Sequence, residues 1–401
     1  MFLRKRRGSR ADDLTSLCQE LLSHRGEVAG ARLAADAVRS YRALDTPETE
    51  TFFDRLVTKF SPDLTAVQAA AARFDREPSL PSYLSLQRAV ESPRQELFRR
   101  WNIAPGGTAS LLAMRKRLLG SLKGHPERSG IDADLLHLFR SWFNRGFLVL
   151  QRIDWRTPAV ILERLIDYEA VHQIQGWHDL RRRLEADRRC FAFFHPALPE
   201  EPLIFIEVAL TRGMSGEVQP LIDPTSPVDD PSRADTAIFY SITNCQEGLR
   251  GVSFGNVLIK QVVDDLGGEF RRVRTFATLS PIPGFRDWLV ALDARWTAFD
   301  PVTSTPATQR ELMALCAQYL LFAKRDREPA DSVARFHLAN GASLERLNWM
   351  ADRSPTGLQR SFGLMVNYLY KPDDLERNHE VYARDYGVIA SRTIERLARV
   401  G

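Results

Sequence analysis

Three short stretches of this chain carry residue types that could do chemistry. The first is Ser280-Pro281-Ile282-Pro283-Gly284-Phe285, which follows the strand-like run Thr275 to Leu279. Two prolines and a glycine make a stiff, non-helical turn there, and substrates of α/β sheets gather at the carboxyl ends of strands. Ser280 could equally do no more than cap the turn. No G-x-S-x-G elbow surrounds it, so a hydrolase nucleophile is not indicated. The second is His337, within Phe336-His337-Leu338. Of the eight histidines, His195 and His337 sit most clearly inside ordered segments. A lone histidine on an apolar stretch serves as a satisfied core group more often than as a catalyst, and spacing alone does not bring His337 to Ser280.

The third stretch is Arg250-Gly251-Val252-Ser253-Phe254-Gly255-Asn256, between the strand-like Thr236 to Ile242 and a helical Gly255 to Leu266. A strand entering a glycine-punctuated turn and then a helix aims backbone N–H groups outward, where the helix dipole also favours an anion. Gly251 and Gly255 allow close approach, and Arg250 or Lys260 could add charge. A tight turn needs the same glycines, so both readings stand. The spacing is neither G-x-G-x-x-G nor G-x-x-x-x-G-K-[ST]. It resembles the acyl-CoA pyrophosphate loop of the GNAT acetyltransferase superfamily, with Arg250 and Gly255 matching and Ser253 in the position of the middle glycine.

These stretches need elements to position them. The chain has 401 residues, 44% hydrophobic and 26% charged, which suits a soluble globular protein of two domains. The first part reads as helices: Leu14, Leu17, Leu21 and Leu22 recur at helical spacing, and Phe52, Phe53, Leu56 and Phe60 form one apolar stripe. Pro78, Pro81, Pro105-Gly106-Gly107 and His125-Pro126 punctuate the helices. No strand alternation is evident before Phe147. Further on, Cys190 to Phe194 and Leu203 to Leu210 read as a hairpin, Gly213 to Arg233 as a long surface loop, and Arg272 to Leu279 as a strand. Arg346 to Trp349 and Met365 to Tyr370 read as closing strands, and Tyr382 to Val400 as a terminal helix. The expected fold class is therefore α+β: an all-α domain over residues 1–155, then an α/β domain over residues 156–401.

Composition excludes several classes. With 55 Lys and Arg against 51 Asp and Glu, the net charge of +4 is too balanced to indicate a nucleic-acid partner. The four cysteines are scattered, so neither a zinc framework nor a disulfide scaffold is expected, and Cys245 reads as a buried spectator. No apolar run spans a bilayer, and no apolar segment follows the basic Met1 to Arg7, so no membrane association and a cytoplasmic location are expected.

Several longer strings resemble malonyl-CoA decarboxylases: Leu279 to Phe285, Phe336-His337-Leu338 with Asn340-Gly341-Ala342, Asn348-Trp349-Met350-Ala351-Asp352, and Gly363-Leu364-Met365 with Asn367-Tyr368. So do His195-Pro196, Glu201-Pro202-Leu203, Val208 to Thr211 and Ala237 to Ile242. The resemblance is strong over about residues 165 to 370 and loose over the helical part. It implies a helical domain used for oligomer contacts, an acetyltransferase-like (GNAT) catalytic domain with a mixed central sheet, and a homotetramer built as a dimer of dimers. It implies that malonyl-CoA is converted to acetyl-CoA and carbon dioxide through a thioester enolate, with Ser280 and His337 as the active-site pair. The segment Arg250, Gly251, Val252, Ser253, Phe254, Gly255 and Asn256 would take the CoA phosphates. No metal and no separate cofactor are implied, because CoA is part of the substrate. Some family members carry a glutamate where this chain has Ser253, so no catalytic carboxylate is assigned. The alternatives are a CoA-dependent acyltransferase on the same fold and an acyl-CoA-binding module without activity.

Overall fold

The computed structural model describes residues 9–23, 26–252 and 257–400. Its chain divides into two compact units, one made of Met1–Leu148, His195–Pro199 and Gln246–Ser253, the other of Val149–Phe194, Glu200–Cys245 and Phe254–Gly401.

The first unit is helical. Its helices include Arg10–Ser23, Thr46–Lys59, Pro93–Ile103, Gly107–Ser121 and Ser129–Trp142. Local signals set their starts: Asp45 and Glu48 form a reciprocal capping box ahead of Thr46–Lys59, whose first turn holds Pro47. The expected stripe of Phe52, Phe53, Leu56 and Phe60 is buried, together with Leu97, Phe98, Trp101, Leu111 and Phe139. Burying such side chains contributes about 1.5–3 kcal/mol each, which is what fastens helices of modest intrinsic propensity.

The second unit is built on an eight-stranded mixed sheet. In chain order the strands are β1 Val149–Ile153, β2 Arg188–Phe194, β3 Ile204–Thr211, β4 Thr236–Asn244, β5 Thr275–Thr278, β6 Ser280–Pro281, β7 Lys324–Arg325, β8 Glu328–Pro329, β9 Ser343–Asn348 and β10 Met365–Leu369. The spatial order is β1-β2-β3-β4-β5-β10-β6, with β9 paired to β10, while β7 and β8 form a separate small ladder. The pair β4–β5 is parallel, and the pairs β1–β2, β2–β3 and β3–β4 are antiparallel. This is the α+β class expected, with a mixed central sheet. Every residue of β2 is buried, as a strand covered on both faces requires. Glu207 pairs with Ser241 but Val208 with Phe239, so Tyr240 is an extra residue and β4 bulges there.

Three local expectations change. The supposed terminal helix is two, Leu375–Asp385 and Arg392–Val400; the first ends at Tyr386, whose φ of 52° leaves the helical region. The stretch 213–233 holds a short helix, Gln219–Ile222, because buried Leu221 packs beneath the sheet. Strand β1 begins immediately after the helical unit, its burial too irregular for a period-two signal to have revealed it.

Candidate active site

Ser280 and His337 meet. The Ser280 Oγ lies 3.0 Å from the His337 Nε2, and both residues are buried. Each arrives by a separate route. β5 ends at Thr278 and the chain re-enters the sheet at Ser280, which pairs with Val366 of β10. His337 comes from the helix Ser332–Ala339, whose N-cap Asp331 accepts from Val333 N and Ala334 N at 2.9 Å. The other oxygen of Asp331 accepts from Gly284 N at 3.4 Å, tying this helix to the turn that follows Ser280. At the other end Gly341 has φ 81°, and a Cβ there would lie 2.3 Å from the Leu375 carbonyl, so the helix ends in a glycine. Replacing Asp331 with alanine is expected to cost about 1–2 kcal/mol and Asp331→Ser much less, because serine also caps. Thermal melts of the two variants measure this; equal melting points would remove the cap from the account.

The surroundings of the pair are aromatic. The Tyr368 ring stacks on the imidazole with centroids 4.6 Å apart and an interplanar angle of 26°. The Tyr370 hydroxyl lies 2.7 Å from His337 Nδ1. Burial lowers the His337 pKa to about 3, so the imidazole is neutral near neutral pH. Burial raises the Tyr370 and Tyr368 phenols well above their ordinary value, so both stay protonated. Beneath Ser280 lies Thr278, whose carbonyl accepts from Asn367 Nδ2 at 2.6 Å. Asn367 Oδ1 in turn accepts from Asn348 Nδ2 at 2.8 Å and Arg346 Nε at 3.1 Å.

Such a pair is suited to proton transfer. Two neutral groups, one a hydroxyl and one an imidazole, share a buried hydrogen bond, and the Tyr368 ring stacks on the imidazole. Among the described residues no group of three or more His, Cys, Asp or Glu could hold a metal ion.

Of the phosphate loop, Arg250, Gly251 and Val252 are described, and Ser253, Phe254, Gly255 and Asn256 lie outside the described residues. Within the helical unit, buried Arg115 donates to the carbonyls of Gly248 at 2.7 Å and Arg250 at 2.8 Å. Gly251 has φ 82°, the left-handed region that favours glycine. The helix after the loop runs Val257–Glu269. His195 has a structural role: its Nδ1 accepts from Ala197 N at 3.1 Å, so its Nε2 donates to the Trp142 carbonyl at 3.1 Å. Cys245 is buried, and burial raises its thiol, in keeping with an inert group.

Thr278, Tyr370 and Asp331 were not singled out from sequence, and Asn367 and Tyr368 entered only as part of a resembling string, with no role assigned. Period-two alternation could have placed Thr278 beside Ser280 and Tyr368 beside Tyr370 on one strand face. Nothing local points to Asp331 beyond its capping position.

A family model described as malonyl-CoA decarboxylase C-terminal domain matches residues 146–299 and 289–400, and one described as malonyl-CoA decarboxylase N-terminal domain matches residues 60–143. A curated goose protein (Anser anser anser), "Malonyl-CoA decarboxylase, mitochondrial", is 34% identical over 415 residues, covering 90% of this chain and 82% of its own length. A crystal structure of malonyl-CoA decarboxylase from Rhodopseudomonas palustris is similar at 46% identity and a TM-score of 0.92, over 97% of this chain and 100% of that one. Another, from Agrobacterium vitis, is similar at 45% identity and a TM-score of 0.90, over 96% and 99%.

Proposed function

We propose, since the chain belongs to the malonyl-CoA decarboxylase family, that it converts malonyl-CoA to acetyl-CoA and carbon dioxide, with His337 as the proton donor. The observation that carries this reading is the buried Ser280–His337 hydrogen bond, 3.0 Å long, beside Tyr368 and Tyr370.

The reaction breaks the bond between the malonyl α-carbon and its carboxylate. Carbon dioxide leaves, and the electron pair passes to the α-carbon and the thioester oxygen as an enolate. A site closed to water would keep the carboxylate from being solvated, and hydrogen-bond donors at the thioester oxygen would lower the barrier further. The enolate carbon then takes one proton. A neutral imidazole becomes a better proton carrier once the substrate brings a negative charge against it, because an adjacent anion favours the imidazolium. His337 would take one proton from solvent as malonyl-CoA binds, give it to the α-carbon, and return to neutral, so that one solvent proton is consumed for each carbon dioxide released. Ser280, hydrogen-bonded to the imidazole, would orient His337 for that transfer.

This reading assigns the CoA pyrophosphate to the segment Arg250 to Asn256, which precedes the helix Val257–Glu269 in the chain. A homotetramer acting without metal or added cofactor in the cytoplasm completes the proposal. Among the described residues no helix is long and apolar enough to cross a membrane.

The test is incubation of the purified protein with malonyl-CoA alone. Equal amounts of acetyl-CoA and carbon dioxide, in metal-chelated buffer, are the expected result. CoA-ester binding without carbon dioxide release would overturn the proposal in favour of acyl transfer, which an amine acceptor would then reveal.

A further inference from the structure

We propose that Thr278 is a positioning residue that sets the direction of the hydrogen bond between Ser280 and His337, so that the imidazole donates and the serine accepts. This rests on the decarboxylase reading for its consequence, but its geometry stands alone. Thr278 is fully buried at the end of β5, two residues before Ser280. Its Oγ1 accepts from the Ser280 hydroxyl at 2.8 Å and from the Tyr368 backbone N–H at 3.1 Å. A hydroxyl offers two acceptor lone pairs and one hydrogen. With both lone pairs of Thr278 engaged, its own hydrogen points along neither bond and cannot return to Ser280.

The consequence passes outward by counting hydrogens. Ser280 has one, and it is spent on Thr278. The 3.0 Å contact to Nε2 is therefore a hydrogen bond from the imidazole to Ser280 Oγ. A neutral ring with hydrogen on Nε2 has a lone pair on Nδ1, and the Tyr370 hydroxyl 2.7 Å away donates to it. Stacking on Tyr368 keeps the ring in the plane that both bonds require.

This polarity is opposite to that of a serine nucleophile, whose histidine must accept the serine's proton. Ser280 is thus kept from attacking a thioester, and the ring hydrogen of the resting site faces Ser280 rather than Tyr370. For a decarboxylase that is the useful direction, since an acyl-enzyme would be a dead end. Thr278 can enforce it because it is immobile. Its carbonyl is held by Asn367, and its β-branched side chain has few rotamers.

The experiment uses the full chain with ¹⁵N-labelled histidine and compares wild type, Thr278→Val and Thr278→Ser, with His337→Asn assigning the resonance. Long-range ¹H–¹⁵N correlations distinguish the two neutral tautomers. Wild type and Thr278→Ser are expected to carry the hydrogen on Nε2. In Thr278→Val the Ser280 hydrogen is free to turn onto Nε2, so the ring is expected to shift toward the Nδ1–H form. With malonyl-CoA, Thr278→Val should lose about 10- to 100-fold in kcat, a part of a general-acid contribution, with KM within about twofold, and Thr278→Ser should recover most of the loss. An Nδ1–H tautomer in wild type would overturn the proposal whether or not any valine variant folds. So would a valine variant that keeps the Nε2–H form, or a serine variant as slow as valine. If wild type releases no carbon dioxide, the functional reading fails instead, and the tautomer of the resting protein still decides the role of Thr278.

Discussion

Replacing His337 with asparagine is expected to lower kcat for malonyl-CoA decarboxylation by roughly 100- to 10,000-fold, the range contributed by a placed general acid. KM should change little under the proposed assignment of the CoA pyrophosphate to the segment Arg250 to Asn256, which does not include His337. Asparagine keeps a polar side chain that can still meet Ser280 or Tyr370, so the cavity is not left with two unpaired hydroxyls. The variant should therefore fold. It should also lose a pH term: the His337 pKa is lowered by burial to about 3 from an ordinary 6.5. A lowered base contributes stability that is present above 6.5 and is lost as pH falls from there toward 3. Steady-state release of acetyl-CoA, with a melt at pH 7 and pH 5, reads both effects. A variant retaining a fifth or more of the wild-type kcat, about 1 kcal/mol or less in barrier height, would remove His337 from the chemistry.

The second large effect is on stability. Replacing Arg183 with methionine is expected to cost about 3–5 kcal/mol above about pH 8, where Glu207 is ionised and would be stranded, and about 1–3 kcal/mol below it, where the protonated carboxyl loses a hydrogen-bond partner. Both side chains are buried, and Arg183 Nη1 lies 2.5 Å from Glu207 Oε2. Arg183 also donates to the His172 carbonyl at 3.0 Å and lies against the Tyr240 ring. Glu207 Oε1 has no hydrogen-bond partner among the described residues, so the carboxylate is already under-satisfied. The double variant Arg183→Met with Glu207→Leu should recover most of the loss, since apolar groups of similar volume replace a buried pair at little cost. Burial pushes the Glu207 carboxyl up to about 8, with Arg183 opposing. A raised acid contributes stability that is fully present below its ordinary 4.5 and is lost as pH rises through about 8. Melting temperatures between pH 5 and pH 8 should therefore fall more steeply for wild type than for Glu207→Gln. An Arg183→Met protein that melts with wild type, or a double variant no better than the single, would show that the pair is not what holds this part of the sheet.

Much of the local structure was legible in the residues. Helical stripes such as Phe52, Phe53, Leu56 and Phe60, and caps such as Asp45 with Glu48, are short-range signals written within a few positions of the elements they make. The same holds for β2 and β3, whose apolar runs flank a turn rich in proline. The turn at Ser280 and the helix-borne His337 were also visible as candidates, and the family resemblance gave each an expected role.

What the chain order could not contain is the meeting of these parts. Ser280 and His337 are joined because β10 crosses antiparallel beside both β5 and β6, bringing Tyr368 and Tyr370 against the imidazole. That crossing depends on pairing between strands far apart in sequence, and such pairing has no local signature. Protonation is a tertiary property for the same reason. A histidine between Phe336 and Leu338 could be a solvated base or a buried neutral ring, and only the closure of the sheet and helix around it makes it the latter. Thr278 is the clearest case. In the sequence it is one strand residue among many, and it acquires a direction-setting role only when Ser280, Tyr368 and Asn367 converge on it. Residue types and spacing determined which groups were available for chemistry; strand crossing and burial decided which of them touch, which are charged, and which way their hydrogens point.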